Sequence, residues 1–505
     1  MGNASSFWIP VLALLVLAAA LVGLATPAKS AMVSEAEAVA VADLWLAMEL
    51  NSGLLRIGEE ERGQRLAGLR NRQTLYITSK DELLGSRPAK GRILAYVVKY
   101  QPTGYVVVSA DDRIEPVVAF DAESQFRWDQ PDRNFLRYFL GRSMLARWKH
   151  LDDQQAAGAP AAANANWTKL RKKTVGGESL SIIEFSAPAG VIYLLWDTPL
   201  WDQGWPYNTE VVAHNGGNSC PTGCTATAMA MKMRFHEWPT TGNGSHSYDD
   251  NSGTLQYSHS ADFGAHTYNW ASMPMGNVAS ANQQVADLMY HCGIVVEMDY
   301  EPGGSGAWPT TSSTNTYLRY KGTTERTSGH ETPIVASVRG GLPVIISSSS
   351  HTVVVDGYRD TESPYLHMNA GWSGGSNGWY NLPDMPAVSD PTIDRSYPYS
   401  SPNNFVYVDG AWGGTENGNI QNPYDTLSEG ESAVPSDGRL WAKGGTYTGA
   451  GNDPLTLDSP MRITAYEGDA TVGDNLRLHQ HDGDLITYAD LPTIRLRTSG
   501  VLRVY

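Results

Sequence analysis

The texture of apolar and polar positions changes several times along the chain, and each change predicts a different element. Residues 7–24 carry no charge and are rich in Leu, Ala and Val. "AEAVAVADLWLAMEL", residues 36–50, sets apolar residues at helical spacing. "ILAYVVKYQPTGYVVVSADD", residues 93–112, reads as two strands joined by a turn around Pro102 and Gly104. "PVVAF" is a third short strand, and "RNFLRYFLGRSMLARWKH", residues 133–150, is an amphipathic helix with Phe135, Tyr138, Phe139 and Leu145 among its apolar positions. Residues 32–150 are therefore expected to form a small α+β unit with no obvious catalytic cluster.

Beyond it, "QQAAGAPAAANAN" is low-complexity and is followed by the basic "KLRKK". Residues 151–189 read as an exposed linker, either a site of proteolytic processing or a solvated tether. Residues 190–396 carry every strong motif. From about residue 404 short β-rich pieces alternate with Gly, Asn and Asp turns, which predicts an all-β segment over 404–505.

Composition adds bounds. A chain of 505 residues with 41% hydrophobic and 18% charged residues can bury sizeable cores, and about three units are expected. A net charge of −16 argues against nucleic acid or an anionic membrane as partner. The apolar run at 7–24, followed by small residues with Ala28 and Ser30 at A-x-S spacing, makes residues 1–31 a signal peptide, with an uncleaved anchor as the alternative. The rest of the chain is then exported, as a secreted or cell-surface protein.

The 3 cysteines are too few for a disulfide framework. Cys220 and Cys224 form a C-x3-C pair without the second pair that zinc needs, so no metal or cofactor is expected. After "PTG", Cys224 opens "CTATAMAMKMRFHEW", which is composed largely of good helix formers and stops before Pro239. A thiol in the first turn of a helix meets unpaired N–H groups and the positive end of the macrodipole, and both favour the thiolate. Cys224 is the candidate nucleophile. Cys292, in "VADLMYHCGIVVEM", fits an inert core thiol.

A cysteine nucleophile needs a base and a group to orient that base. His351 begins the β-rich run "HTVVVDGY" after a stretch of serines and is the candidate base. Strand alternation puts Asp356 on the face opposite His351, so Asp356 is a turn or hydrogen-bonding residue. Asn369, in the next strand "YLHMNAGW", is the candidate orienting partner, and His367 is assigned to packing. Gln203, in "PLWDQGWPYN", and the Cys224 N–H are candidate oxyanion donors.

Together these residues resemble the streptopain family of secreted, papain-like cysteine peptidases. The resemblance runs in order through "WDQGWPYN", "TGCTATAMA", "FGAHTYNWASMP", "LMYHCGIVVEMDY", "HTVVVDGY" and "HMNAGWSGGSNGWYNL", and "GYVVVSADDRIEPVVAF" looks like the family's inhibitory propeptide. It implies a papain-like peptidase over 190–396, preceded by an α+β propeptide that blocks the cleft until removed, and protein or peptide substrates. It implies Cys224 as nucleophile, His351 as base, Gln203 in the oxyanion hole, Asn369 near the imidazole, and Ser305, Gly306 and Trp372 along the substrate cleft. One departure stands out. Where the family carries an aromatic after the Asn, this chain has Ala370, which is expected to leave the His–Asn pair less shielded from water. The tail resembles the opening coils of a right-handed parallel β-helix and implies a binding or attachment module, with polysaccharide or a cell surface as candidate ligand. Two alternatives remain open: a catalytically weak homologue marked by Ala370, and an adhesin or glycan binder in which the tail matters most.

Overall fold

The computed structural model describes residues 32–51, 55, 57–79, 83–84, 91–127, 140–141, 143–158, 162–167, 170, 192–194, 198–307, 311–322, 324–326, 334–335, 337–338, 341–347, 351–359, 364–381, 392–398, 405–420, 422–434, 438–453, 455–457, 461–473, 476–478 and 494–496. The expected signal peptide, part of the helix expected at 133–150 and most of the expected linker lie outside these residues. No described helix is long and apolar enough to cross a membrane.

The first unit folds as its pattern requires. Strands Ile93–Tyr100 and Tyr105–Ser109 form an antiparallel hairpin, with Gly104 at φ +104° in the turn, where a side chain would be strained. Val117–Asp121 and Arg72–Thr78 extend the sheet on either side, and the helix Glu35–Asn51 packs Val41, Leu46 and Leu50 against it. Within the expected linker, Asn164, Trp167 and Leu170 pack onto this unit. Trp167 is fully buried, donates from its indole N–H to Ile114 O at 2.9 Å, and joins the same core with Leu170. A single large apolar side chain inside an Ala/Asn-rich stretch anchors a segment that its average composition marks as solvated.

The second unit sets a buried helix, Cys224–His236, against strands Val344–Ser347 and Thr352–Arg359, with the helix Gln283–Val295 on its other side. Sheet order runs Val344–Ser347, Thr352–Arg359, Tyr365–Asn369 and Gly378–Asn381, all antiparallel. The sheet does not stop there. Gly378–Asn381 pairs with Val117–Asp121 of the first unit, Trp379 opposite Phe120 and Tyr380 opposite Ala119, so one sheet of 12 strands crosses both units. Buried ion pairs pin this junction. Arg359 grips Glu49 bidentately at 2.6 and 3.1 Å, and His367 lies 2.6 Å from Asp356 and 3.8 Å from Asp121.

In the tail, Phe405–Val408, Gly438–Tyr447 and Met461–Val472 pair in parallel, with a register shift between Lys443 and Gly445. Val406, Leu440 and Ile463 stack inward, as do Val408, Ala442 and Ala465. The alternate residues Phe405, Tyr407 and Trp441 point outward but are covered, packing with Phe235 at the far end of the helix that Cys224 begins. That aromatic row is spent on an internal contact, so it does not offer the polysaccharide surface that the tail's resemblance implied.

Removing one partner of a buried ion pair leaves the other charge unsatisfied, a loss of about 3–5 kcal/mol. In a Cys224→Ala background, which prevents any self-cleavage, Glu49→Ala should therefore lower the thermal unfolding midpoint of the full chain clearly below that of Cys224→Ala alone. Equal midpoints by calorimetry would mean that the Arg359–Glu49 contact does not hold the two units together.

Candidate active site

The chain turns into the helix Cys224–His236 through Gly223, at φ +83°. Only glycine fits this residue. A Cβ there would lie 2.6 Å from the Met298 sulfur and 3.3 Å from Ser305 O, so the sharp turn and the close approach share one cause. Thr225, Ala226, Thr227 and Ala228 are buried and small, which lets the helix sit tightly under the sheet. Cys224 is only half-buried, whereas Cys220 and Cys292 are buried; all three thiols are free. Hydroxyls crowd beneath the nucleophile's turn: Thr225 Oγ1 lies 3.0 Å from Thr352 Oγ1 and donates to Ala307 O at 2.7 Å, and Thr352 Oγ1 lies 2.7 Å from Ser347 Oγ.

His351 faces Cys224 from the end of the strand Thr352–Arg359. Burial pushes the Cys224 thiol up, but the His351 charge and hydrogen bonds from His351 and Thr352 overcome it and hold the thiol at about 7. Burial alone raises the Cys292 thiol, and burial raises Cys220 too, with Glu301 and Asp250 adding to it and an Asn215 hydrogen bond opposing it. Thr352 therefore belongs to the site. Sequence reasoning missed it, although its place next to His351 was the available signal.

The orienting group differs from the expected one. His351 Nε2 lies 2.9 Å from the backbone carbonyl of Ala370, one residue beyond Asn369. The Asn369 amide donates to Pro199 O at 2.9 Å, while its Oδ1 accepts the Gly371 N–H at 3.1 Å. That N–H and the Ala370 carbonyl belong to one peptide group. Asn369 thus polarises and fixes the peptide whose oxygen meets the imidazole, and successive hydrogen bonds of this kind strengthen one another.

Register explains the shift. Val354 pairs with Asn369, so continuing three residues along each strand brings His351 opposite Trp372. The two rings meet there with centroids 4.6 Å apart, and both side chains are buried. The shielding expected to be lost at Ala370 is supplied by Trp372. A bulge between Val355 and Gly357 turns Asp356 toward His367, which its acidic neighbours hold protonated up to about 10 against the cost of burial. His367 is therefore an ion-pairing residue, not the packing residue expected, and Asp356 accepts hydrogen bonds from it and from Thr198.

Gln203 is half-buried, and its carbonyl accepts the Thr222 N–H at 2.9 Å, tying its loop to the turn before Cys224. Asp202 links the same loop to Ser373, beside Trp372, at 2.9 Å. Ser305 is buried and donates to Pro221 O at 2.7 Å, and Gly306 exchanges two backbone hydrogen bonds with Asp299, so this loop braces the turn before Cys224. Among the described residues, Glu416, Asp425 and Glu429 in the tail come close enough to share a cation; they are mostly exposed and far along the chain from the thiol.

A thiol at the head of a buried helix, faced by an imidazole whose second nitrogen is held by a carbonyl, is the equipment of a cysteine hydrolase. Residues 201–380 match the Peptidase C10 family and residues 30–143 match the Spi protease inhibitor family. The thiol protease/hemagglutinin PrtT of Porphyromonas gingivalis is 28% identical over 306 residues, 55% of this chain and 32% of that protein. Streptopain of Streptococcus pyogenes is 25% identical over 319 residues, 57% of this chain and 73% of that protein. The structure of active wild-type interpain A from Prevotella intermedia is 30% identical, covers 41% of this chain and 94% of its own, and superposes with a TM-score of 0.35. The chain belongs to the peptidase C10 family, with a Spi-type inhibitor domain ahead of its peptidase unit. It spans about a third of PrtT, the first of these relatives.

The three thiols should separate sharply under alkylation. Iodoacetamide should modify Cys224 with a rate that climbs through about pH 7, where its thiolate forms, and should leave Cys220 and Cys292 untouched in the folded chain. Peptide mapping that found Cys220 or Cys292 labelled as fast as Cys224 would contradict the described electrostatics.

Proposed function

We propose that the chain is a secreted thiol endopeptidase made as a zymogen. The observation that carries this reading is the half-buried Cys224 thiol, held at about 7 by an imidazole that the Ala370 carbonyl orients. The Cys224 thiolate attacks a peptide carbonyl carbon, forming the C–S bond as the carbonyl electrons move to oxygen. The Gln203 amide and the Cys224 backbone N–H stabilise that oxyanion. As the intermediate collapses, the C–N bond breaks and the departing amine takes the imidazolium proton of His351. His351 then accepts a proton from water, whose oxygen attacks the thioester, and breaking the C–S bond releases the acid and restores the ion pair. No step needs a metal or cofactor.

Asn369 serves this cycle as a positioning residue through the Ala370–Gly371 peptide. Trp372 screens the imidazole from water and borders the cleft, and the loop of Ser305 and Gly306, which braces the turn before Cys224, lines it as well. The unit over 32–150 acts as inhibitor in the same chain, and the shared sheet, the Arg359–Glu49 pair and His367 with Asp121 give it a large, specific seat. Cleavage in the stretch after residue 170 frees the peptidase unit, 190–396. The parallel strands of the tail support its reading as the first coils of a β-helix, 404–505, fixed to the peptidase and not tethered loosely. Export follows from the signal peptide, 1–31. The weak-homologue reading loses its main support, since Trp372 covers the imidazole that Ala370 was expected to expose.

Cys224→Ala should abolish casein hydrolysis by the full chain and any size reduction that depends on it. Gln203→Ala should lower kcat by about 10²–10³ with KM little changed, the signature of a donor that acts on the transition state. Casein hydrolysis that survived Cys224→Ala would end the proposal.

A further inference from the structure

Ala370 brings no side-chain anchor of its own, yet its carbonyl holds the imidazole. The segment after it bends through left-handed backbone at Gly371, Ser373, Gly374 and Ser376, with φ between +54° and +78°. Such a turn has many alternatives of similar energy unless something closes it. Asn377 closes it. Its Oδ1 accepts the Ala370 N–H at 2.9 Å across seven positions, its own N–H reaches Gly374 O at 3.3 Å, and it is buried, 5% exposed. The Ala370 residue is thereby held on both flanks: Asn377 takes the N–H before it and Asn369 takes the N–H after it. The tie continues outward, because the Tyr105 hydroxyl of the inhibitor unit donates to Asn377 O at 3.0 Å.

We infer that Asn377 is a positioning residue for the base: by fixing the Ala370 backbone it sets the ring orientation and tautomer of His351. The inference rests on the reading of Cys224 and His351 as the reacting pair. The acceptor oxygen is the working part. The side chain touches neither thiol nor ring, so its loss should act on kcat and on thiolate formation, not on substrate binding.

The test compares wild type with Asn377→Ala, Asn377→Asp and Asn377→Ser. In the full chain, the rate of Cys224 alkylation against pH should have its midpoint near 7 in wild type and move toward the ordinary thiol value of 9.0 in Asn377→Ala. Asp keeps the acceptor oxygen and should restore most of the wild-type profile; Ser reaches less far and should fall between. With peptide substrate, kcat should drop about 10–100-fold in Asn377→Ala while KM stays within a few-fold. An unchanged midpoint and kcat in Asn377→Ala, or an Asp variant as impaired as Ala, would overturn the inference. Should Asn377→Ala not fold, a wild-type midpoint and kcat in Asn377→Ser would overturn it alone. The two readings fail separately. A wild-type chain whose hydrolysis ignores Cys224→Ala removes the peptidase reading, whereas a wild type that needs Cys224 beside an Asn377→Ala variant of equal kcat removes only the role of Asn377.

Discussion

One backbone oxygen carries more of this site than any side chain around it. The Ala370 carbonyl meets His351 Nε2 at 2.9 Å, and that contact leaves the opposite edge of the ring for the thiol. Burial would keep Cys224 protonated, and the imidazole charge together with hydrogen bonds from His351 and Thr352 offsets it. A carbonyl cannot change its charge with pH and cannot rotate independently of its chain. Its precision is therefore the precision of the turn that holds it, where Asn377 and Asn369 tie down the neighbouring N–H groups. At this position the contact to the ring comes from the backbone, and Trp372, two residues on, covers the ring.

The same turn is where the inhibitor unit takes hold. The Arg127 guanidinium donates to Trp372 O at 3.4 Å, the Arg127 N–H donates to Ser376 Oγ at 2.9 Å, and the Ser376 N–H donates to Gln125 O at 2.8 Å. Immediately beyond, Gly378–Asn381 becomes the strand that joins the two sheets. An edge strand is a row of unpaired backbone groups that invites a partner. The inhibitor unit satisfies that edge while gripping the turn that carries Trp372, so one docking surface reaches both the sheet and the segment beside His351.

Much of this was legible in the sequence. The helix start at Cys224 and the hairpin at 93–109 follow from helix formers, a turn and strand periodicity, all of them local signals, whereas His351 stands out by its place at the head of a β-rich run. What was not legible depends on register. Alternation correctly excluded Asp356 as the partner of His351, but one bulged residue turns its carboxylate to His367, and no pattern announces a bulge. Asn369 was the nearest side chain that could reach the ring; a backbone carbonyl has no residue type and leaves no trace in composition. Trp167 shows the converse failure, since averaging over an Ala/Asn-rich stretch hides one anchor.

The tail completes the argument about rigidity. The helix that Cys224 begins is fixed at its head by the Gly223 turn, with Met298 and Ser305 close against it, and at its foot Phe235 and His236 meet Phe405. Arg439 lies over Phe235, Phe405 and Trp441 at 5.9, 5.3 and 5.5 Å, adding cation–π attraction to apolar burial. A thirteen-residue helix braced at both ends cannot slide along its axis without breaking one contact or the other. Axial sliding is the motion that would carry the thiol out of reach of an imidazole fixed on a different element. The aromatic face of the tail's parallel strands is therefore best understood as part of the frame that holds this helix.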